Sequence, residues 1–167
     1  MKIYLIGYMA SGKTNLGREM AAISGFGFAD LDELFEEKYR VSILSFFEQY
    51  GETLFRQLEQ QVLHETAAME DVIISTGGGT PCFFDNMDFI LKHGRAVYLK
   101  MPVPFLAARL STVHKKRPLL KDIPDSAMEA HIEDQMKERE HFYLRANLVA
   151  DGPDFNAAEI LEKIMNG

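Results

Sequence analysis

A glycine-rich segment close to the first residue limits what this chain can fold into more than any other part of its sequence. Residues 7–14 read Gly-Tyr-Met-Ala-Ser-Gly-Lys-Thr, which fits the pattern G-x-x-x-x-G-K-[ST], and a short apolar run at 2–6 precedes them. Between a buried strand and a helix, such a loop binds phosphate groups through its backbone N–H groups. Lys13 then reaches the β and γ phosphates, and the Thr14 hydroxyl can ligate Mg²⁺. A glycine-rich turn without a ligand is the alternative, but residues 16–22 have the helical character that the motif requires.

Length, composition and charge restrict the class of protein. The chain has 167 residues, of which 47% are hydrophobic, so it can bury a core as a single domain over 1–167. The net charge of −7 argues against nucleic acid as a partner, and any bound anion must be held by local basic groups. A single cysteine, Cys82, leaves no internal disulfide and no cysteine cluster for zinc. No signal peptide or membrane-spanning stretch is apparent, which predicts a cytoplasmic protein.

Strands and helices alternate along the chain. The pattern predicts strands at 2–6, 27–29, 72–75, 95–99 and 147–150. It predicts a first helix from the loop to near Gly25 and further helices at 31–39, 44–50, 52–69, 84–92, 103–112, 126–145 and 155–165. Strands separated by helices pair in parallel through right-handed crossovers, so the class is α/β with helices on both faces of the sheet. Ligands of such sheets gather at the carboxyl ends of the strands.

Two aspartates follow the predicted second strand. Asp30 and Asp32 are two residues apart, and on an extended segment this spacing points both side chains toward the cleft above the phosphate loop. One carboxylate can then serve a metal ion while the other meets a substrate hydroxyl. A helix begins directly afterwards, so a helix N-cap is an equally good interpretation of the aspartates taken alone.

Three consecutive glycines, Gly77, Gly78 and Gly79, follow the predicted third strand. They cost backbone entropy and add no packing, so the close approach of a ligand is their simplest explanation, with a tight structural turn as the alternative. Many phosphate-loop enzymes carry an aspartate for Mg²⁺ at this place. This sequence has none there, which shifts the metal role toward Asp30.

Basic residues in three later segments are candidates for binding anions. Arg56 and Glu59 share one helix face, so the carboxylate can hold the guanidinium against a planar anion, although a surface ion pair is the simpler interpretation. A basic cluster around Arg117 interrupts the helical pattern; it is either a solvated connection or a mobile lid that brings Arg117 to the transferred phosphate. Arg139 lies on a charged amphipathic helix, where it would by itself be a solvated residue.

Taken together, these segments resemble the shikimate kinase family, small phosphate-loop kinases related in fold to nucleoside monophosphate kinases. The resemblance covers nearly the full length, and its motifs occur in order. They are the phosphate loop at 7–14, Asp-x-Asp at 30–32, Phe-Arg-x-x-Glu at 55–59, Gly-Gly-Gly at 77–79, Arg-Pro-Leu-Leu at 117–120 and Glu-Arg-x-x-x-Tyr at 138–143. Each motif is weak alone, whereas all of them at compatible spacing are specific.

The resemblance implies a three-layer phosphate-loop NTPase fold. Its parallel sheet has five strands in the order 2-3-1-4-5, with a substrate-binding helical segment at about 31–60 and a lid at about 112–124. The implied reaction is the ATP-dependent, Mg²⁺-dependent phosphorylation of the 3-hydroxyl of shikimate in aromatic amino-acid biosynthesis, by a monomer.

The resemblance also assigns site residues. Those implied to bind ATP are Ala10, Ser11, Gly12, Lys13, Thr14, Asn15, Arg109 and Arg117. Those implied to bind shikimate are Asp32, Arg56, Gly78, Gly79 and Arg139. Thr14 and Asp30 are implied to hold the metal, and Lys13, Asp32 and Arg117 to act in catalysis.

The sequence departs from the family pattern at four places. Ala10 stands where glycine is usual, and Asn15 where a second hydroxyl residue is common. The spacing from Arg109, which resembles the adenine-stacking arginine, to Arg117 is one residue longer than is common. The segment 151–156 lacks the basic residue that is often near the adenine.

Two rival functions stay open on the sequence. One is another kinase of the same fold, for gluconate or a nucleoside monophosphate, and the pair of Arg56 and Arg139 with the glycine run argues instead for a carboxylated polyol ring. The other is a GTPase-type switch or a nucleotide-binding module without catalysis. That class needs Asn-Lys-x-Asp or Asp-x-x-Gly motifs, and neither string occurs in the chain.

Overall fold

A five-stranded parallel sheet forms the centre of the protein. The structure is a computed structural model, and it describes residues 1–113 and 118–167. In chain order the strands are β1 (Lys2–Ile6), β2 (Gly27–Asp30), β3 (Val72–Ser75), β4 (Arg95–Lys100) and β5 (Leu148–Asp151). They lie in the order β2-β3-β1-β4-β5, and every neighbouring pair is parallel. The predicted fold class and strand order are therefore confirmed.

Seven α-helices connect and flank these strands within the described residues. They are α1 (Lys13–Ser24), α2 (Leu31–Tyr39), α3 (Ile43–Glu65), α4 (Asn86–His93), α5 (Val103–Val113), α6 (Met128–Tyr143) and α7 (Ala157–Asn166). Gly51 interrupts α3 with φ 82° and ψ 175°, which is the break that the sequence predicts between two helices. The predicted helix at 126–145 is shorter in the structure, because a 3₁₀ turn occupies Asp125–Ala127 and α6 ends at Tyr143.

The strands are apolar on both faces because helices cover both sides of the sheet. Successive strand residues point to opposite faces, so Tyr4 and Ile6 pack with α2, α3 and α4, whereas Ile3 and Leu5 pack with α1 and α7. A third apolar cluster lies beyond the sheet, where Tyr8 and Leu120 contact α5 and α6. This third cluster supports one wall of the site described below.

The strand register brings the loops that carry the candidate residues together. Ser75, the last residue of β3, is level with Leu5 of β1 and with Asp30 of β2. The segments that follow these three strands therefore leave the same edge of the sheet, as the rule for open parallel sheets predicts. In the part of the chain that the structure describes, no helix combines the length and apolar character needed to cross a bilayer.

Candidate active site

The phosphate loop joins β1 to α1 and curls around the Lys13 ammonium. Lys13 is only 7% exposed, and its Nζ donates to the carbonyl oxygens of Gly7 at 2.8 Å and Tyr8 at 2.9 Å. Gly7 and Gly12 have φ values of 145° and 93°, which favour glycine. The loop thus places a cation at the N-terminus of α1, where an anion is favoured.

Ala10 adopts a left-handed backbone with φ 63°. This conformation explains why glycine is usual there, since a Cβ in the left-handed region costs on the order of 1 kcal/mol. The carbonyl oxygen of Ala10 accepts a hydrogen bond from Nη1 of Arg109 at 2.9 Å. Arg109 thus contacts the phosphate loop from α5.

Asp30 is the last residue of β2, and its two carboxylate oxygens contact the start of α2 and the phosphate loop. Its Oδ1 accepts from the backbone N–H groups of Asp32 at 2.9 Å and Glu33 at 3.3 Å and so caps α2. Its Oδ2 accepts from the Thr14 hydroxyl at 2.8 Å. The structure thus confirms the interpretation of Asp30 as a helix N-cap and places its second oxygen against the phosphate loop.

Asp32 reaches the site for a different reason from the one predicted. It lies in the first turn of α2 and not on an extended segment, because the chain turns helical at Leu31. The expectation that strand geometry aligns Asp30 and Asp32 is therefore wrong. Both carboxylates nevertheless line one pocket of about 370 Å³, together with Lys13 and Thr14.

The glycine run Gly77–Gly79 lets the protein's own groups approach its backbone. A Cβ built on Gly79 would lie 2.7 Å from Nη2 of Arg56, and one on Gly78 would lie 3.0 Å from the backbone nitrogen of Met9. None of the three glycines needs a left-handed backbone. In this structure Arg56 and the phosphate loop approach these glycines closely, and the close approach of a ligand stays a prediction.

Arg56 is buried and held from several sides. It is 5% exposed, and its Nη1 donates to Oε1 of Glu59 at 3.0 Å. Its Nε and Nη2 both donate to Oε2 of Glu52, at 3.3 and 3.1 Å, and its guanidinium lies 4.2 Å from the ring centre of Phe83. The hydroxyl of Thr80 donates to the other Glu59 oxygen at 2.8 Å. The interpretation of Arg56 and Glu59 as a surface ion pair is therefore wrong.

Glu52, Thr80 and Phe83 are site residues that the sequence reasoning missed. Glu52 precedes Arg56 by four residues on the same helix, a spacing typical of ion pairs, so its signal was available. Thr80 and Phe83 follow the glycine run, and no pattern in the sequence marks their contacts with Glu59 and Arg56.

Arg139 is also buried, contrary to its appearance on a charged helix. It is 7% exposed, and its Nη1 has no hydrogen-bond partner among the described residues. Arg139 lines a second pocket of about 70 Å³ with Asp32, Arg56 and the run Gly77–Gly79. The Tyr143 hydroxyl on the same helix donates to the carbonyl of Gly78. A buried cation with an unsatisfied donor beside a cavity is a favourable place for an anion.

Cys82 lies close to these cations but is an ordinary, partly buried thiol. It follows Thr80 in the short turn after the glycine run. Burial raises the pKa of the Cys82 thiol to about 11, although Arg139 and Arg56 act in the opposite direction. The thiol is therefore protonated at neutral pH.

Two other residues predicted to bind the nucleotide, Asn15 and Arg109, also line the first pocket. Arg109 and Asn15 also line a neighbouring pocket of about 170 Å³ with Pro153 and Phe155. Arg117 lies outside the described residues, and so does part of the predicted lid at 112–124. The description resumes at Pro118. Beyond that point, Pro118 and Leu119 line the second pocket, and Leu120 packs in the third apolar cluster.

The sequence profile of the shikimate kinase family matches residues 9–167. The chain belongs to the shikimate kinase family. A shikimate kinase from Parabacteroides distasonis is 43% identical over 150 residues, which cover 90% of this chain and 87% of that relative. The crystal structure of a shikimate kinase from Bacteroides thetaiotaomicron superposes with a TM-score of 0.91 at 34% identity, covering 100% of this chain and 99% of the other.

A third comparison involves a bound ligand. A shikimate kinase from Acinetobacter baumannii, solved in complex with shikimate, has a TM-score of 0.89 at 33% identity and covers 99% of this chain and 90% of its own. Shikimate kinases use ATP as co-substrate, so this chain is a kinase, in agreement with its phosphate loop. The rival interpretation as a GTPase-type switch or as a module without catalysis is not supported.

Proposed function

We propose that the protein transfers the γ-phosphoryl group of ATP to the 3-hydroxyl of shikimate, giving shikimate 3-phosphate and ADP in the chorismate pathway to aromatic amino acids. The observation that carries this proposal is the second pocket, which two buried arginines, Arg56 and Arg139, line together with Asp32 and with Met9 of the phosphate loop. A small ring with one carboxylate and several hydroxyls suits such a pocket. The cations meet the carboxylate, and Asp32 meets a hydroxyl.

The proposed chemistry depends on positioning and charge. Lys13 and Arg117 stabilise charge on the phosphoryl oxygens, with little covalent work by the protein. Asp32 orients the attacking hydroxyl and accepts its proton. Arg56 and Arg139 hold the carboxylate at the far side of the ring, so that the hydroxyl points toward the first pocket.

The residues around Thr14 fit a magnesium ion. Mg²⁺ is usually held by one or two oxygen ligands of the protein together with substrate phosphates, and here Thr14 and Asp30 supply a hydroxyl and a carboxylate at the floor of the first pocket. Because both oxygens of Asp30 already accept hydrogen bonds, we assign Asp30 to a water molecule bound to the metal. The ion would neutralise charge on the phosphates. Among the described residues, no group of three or more histidine, cysteine or acidic residues could hold a metal ion by itself.

Other assignments belong to the same proposal. ATP binds along the phosphate loop, through Ala10, Ser11, Gly12, Lys13, Thr14 and Asn15, and its base lies against Arg109. Shikimate contacts Gly78 and Gly79 as well as the charged residues. The segments 31–60 and 112–124 serve as substrate-binding segment and lid of one domain over 1–167. We propose a monomer and a cytoplasmic location, where ATP is available.

An assay of ADP release tests the function directly. Purified protein with ATP and Mg²⁺ is expected to release ADP rapidly when shikimate is added, and only slowly with gluconate, with a nucleoside monophosphate or without an acceptor. Stimulation by gluconate or a nucleoside monophosphate instead of shikimate would support the rival kinases and reject this substrate.

Arg139→Ala is expected to raise the Kd for shikimate about thirtyfold, because it removes a charge-assisted contact of roughly 2 kcal/mol. The Kd for ATP without shikimate should stay unchanged, and both constants can be measured by calorimetry. Arg145→Ala is the matched control, since Arg145 lies just beyond α6 and pairs with Asp88 on the surface. Arg139→Lys should also bind poorly, because lysine lacks the planar fork. Unaltered shikimate binding by Arg139→Ala and by Arg56→Ala would remove the proposed carboxylate clamp.

Asp30→Asn is expected to raise the Mg²⁺ concentration for half-maximal rate about tenfold, as loss of an outer-sphere carboxylate typically weakens metal binding by this order. Asparagine is as good an N-cap as aspartate, so α2 should stay folded. Titration of activity with Mg²⁺ measures the shift. Asp88→Asn on the surface of α4 is the control, and an equal Mg²⁺ requirement in all three proteins would contradict the metal assignment.

A further inference from the structure

The side chain of Tyr8, in the phosphate loop, is a buried member of the third apolar cluster. Its neighbours Met9 and Ala10 are only partly buried there. The motif leaves the identity of Tyr8 open, since it occupies the first x of G-x-x-x-x-G-K-[ST]. Its backbone carbonyl accepts from Nζ of Lys13 at 2.9 Å and from the N–H of Ser11 at 3.2 Å. Its ring is 1% exposed and packs among residues of α5 and α6. Tyr8 therefore belongs to the phosphate loop through its backbone, and its side chain packs against α6, the helix that carries Arg139.

The side chain of Tyr8 contacts α6 at two positions one turn apart. Its hydroxyl donates to Oε1 of Gln135, and the guanidinium of Arg139 lies 5.6 Å from the centre of its ring. Residues four apart share a helix face, so one aromatic side chain reaches both. A buried cation over an aromatic face is attracted to it, and burial raises the pKa of Tyr8 to about 12, so that the hydroxyl is a donor at neutral pH.

Arg139 has a second aromatic neighbour among the described residues. Tyr143, one turn further along α6, lies beside the guanidinium and donates its hydroxyl to Gly78. Since Nη1 of Arg139 has no hydrogen-bond partner among the described residues, the ring of Tyr8 and the hydroxyl of Tyr143 together constrain where this guanidinium lies. A displacement of Tyr8 would therefore move the group that is proposed to receive the substrate carboxylate.

A phosphate group that enters the loop affects the backbone of Tyr8 through Lys13. The Lys13 ammonium now donates to the carbonyl oxygens of Gly7 and Tyr8, and each phosphate oxygen that accepts one of its protons competes with one of these carbonyls. The backbone of Tyr8 is thus sensitive to occupation of the loop, while its ring and hydroxyl are tied to α6. A contiguous chain of contacts runs from Lys13 through Tyr8 to Arg139.

We propose that Tyr8 is a positioning residue that couples the two sites: nucleotide in the phosphate loop fixes Tyr8, and Tyr8 fixes Arg139 for the carboxylate of the second substrate. This inference rests on the proposed function of the two pockets. Coupling of binding is reciprocal, so shikimate should tighten nucleotide binding by the same factor as nucleotide tightens shikimate binding.

Calorimetric Kd values for shikimate, measured with and without saturating ADP and Mg²⁺, test the coupling. In the parent protein ADP is expected to lower the Kd for shikimate at least fivefold, a typical size for coupled sites. Tyr8→Leu, which removes ring and hydroxyl, should bring the ratio of the two Kd values to within about twofold of one and raise the KM for shikimate about tenfold. At saturating substrates its kcat should fall by a smaller factor than the KM for shikimate rises, because Tyr8 touches no reacting atom.

Smaller changes and a control separate positioning from general destabilisation. Tyr8→Phe and Gln135→Ala should each lower the ratio of the Kd for shikimate without ADP to the Kd with ADP. The double variant should lower this ratio no further than either single variant, since both changes remove the same hydrogen bond. Tyr4→Phe is the control: Tyr4 is equally buried, and its hydroxyl shares a hydrogen bond of 2.8 Å with Thr66, away from both pockets. It should lower the Tm without changing either Kd.

The outcomes distinguish this inference from the proposed function. A parent protein that turns over shikimate but binds it equally with and without ADP would overturn the coupling and leave the function standing. An unchanged ratio in folded Tyr8→Leu would overturn the role of Tyr8. If Tyr8→Leu does not fold, the cycle of Tyr8→Phe with Gln135→Ala decides, and additive effects in that cycle overturn the proposal. A parent protein that releases no ADP with shikimate rejects the function itself.

Discussion

Lys13→Ala is expected to lower kcat by several hundredfold or more while the protein stays folded. The ammonium is directed at the place where charge develops on the transferred phosphoryl group, and one preorganised donor of this kind contributes about 3–4 kcal/mol to transition-state stabilisation. The shikimate-dependent rate of ADP release at saturating substrates measures the loss.

A surface lysine gives the matched control. Lys163 lies on α7 and pairs with Glu159 one turn earlier on the surface, with a distance of 2.7 Å between Nζ and Oε1. Lys163→Ala should keep kcat within about twofold of the parent, as surface changes usually do little. A folded Lys13→Ala protein with near-parent turnover would show that the loop does not hold the reacting phosphates.

Asp32→Asn is expected to lower kcat about a hundredfold or more and to change the Kd for ATP less than twofold. Asparagine has the same size and can hydrogen-bond a hydroxyl, but it is not a useful base, and proton acceptance by a positioned group contributes typically 10²–10⁴-fold. The measurements are kcat from ADP release and Kd from calorimetry. Glu33→Gln, the next residue of α2, is the control, because Glu33 faces solvent and pairs with Arg18.

The Mg²⁺ dependence of the two variants would show whether the roles of the two aspartates are exchanged. If raised Mg²⁺ restored the rate of Asp32→Asn, but not that of Asp30→Asn, then Asp32 would be the carboxylate on the metal side. An Asp32→Asn protein as fast as the parent would leave the proton of the attacking hydroxyl without its proposed acceptor.

The sequence predicted the sheet and the phosphate loop well because both depend on local patterns. Short β-branched and apolar runs define the strands, and the loop needs glycine or a small residue at fixed places, so Gly7, Gly12 and Lys13 were recognisable without any tertiary contact. The break in α3 at Gly51 was visible for the same reason, since glycine weakens a helix by itself.

The parts that could not be predicted depend on tertiary contacts. Whether Arg56 pairs with Glu59 at the surface or in a pocket depends on what covers them, and here Phe83 and the glycine run do so. Burial of Arg139 likewise depends on Tyr8, which is distant in sequence. The predicted direction of the Asp32 side chain was wrong because the strand pattern was extended past Asp30. Asp30 caps α2, so the chain is already helical at Asp32.

The support of Arg56 has a consequence for the thermodynamics of recognition. Two carboxylates and an aromatic ring already fix this long side chain before any ligand arrives. Immobilising a flexible side chain on binding costs about 0.5–1.5 kcal/mol, and at this position that loss of rotamer freedom occurs during folding instead. A guanidinium held in this way cannot follow a ligand of another shape, so stiffness at Arg56 favours selectivity among carboxylates over tolerance of them.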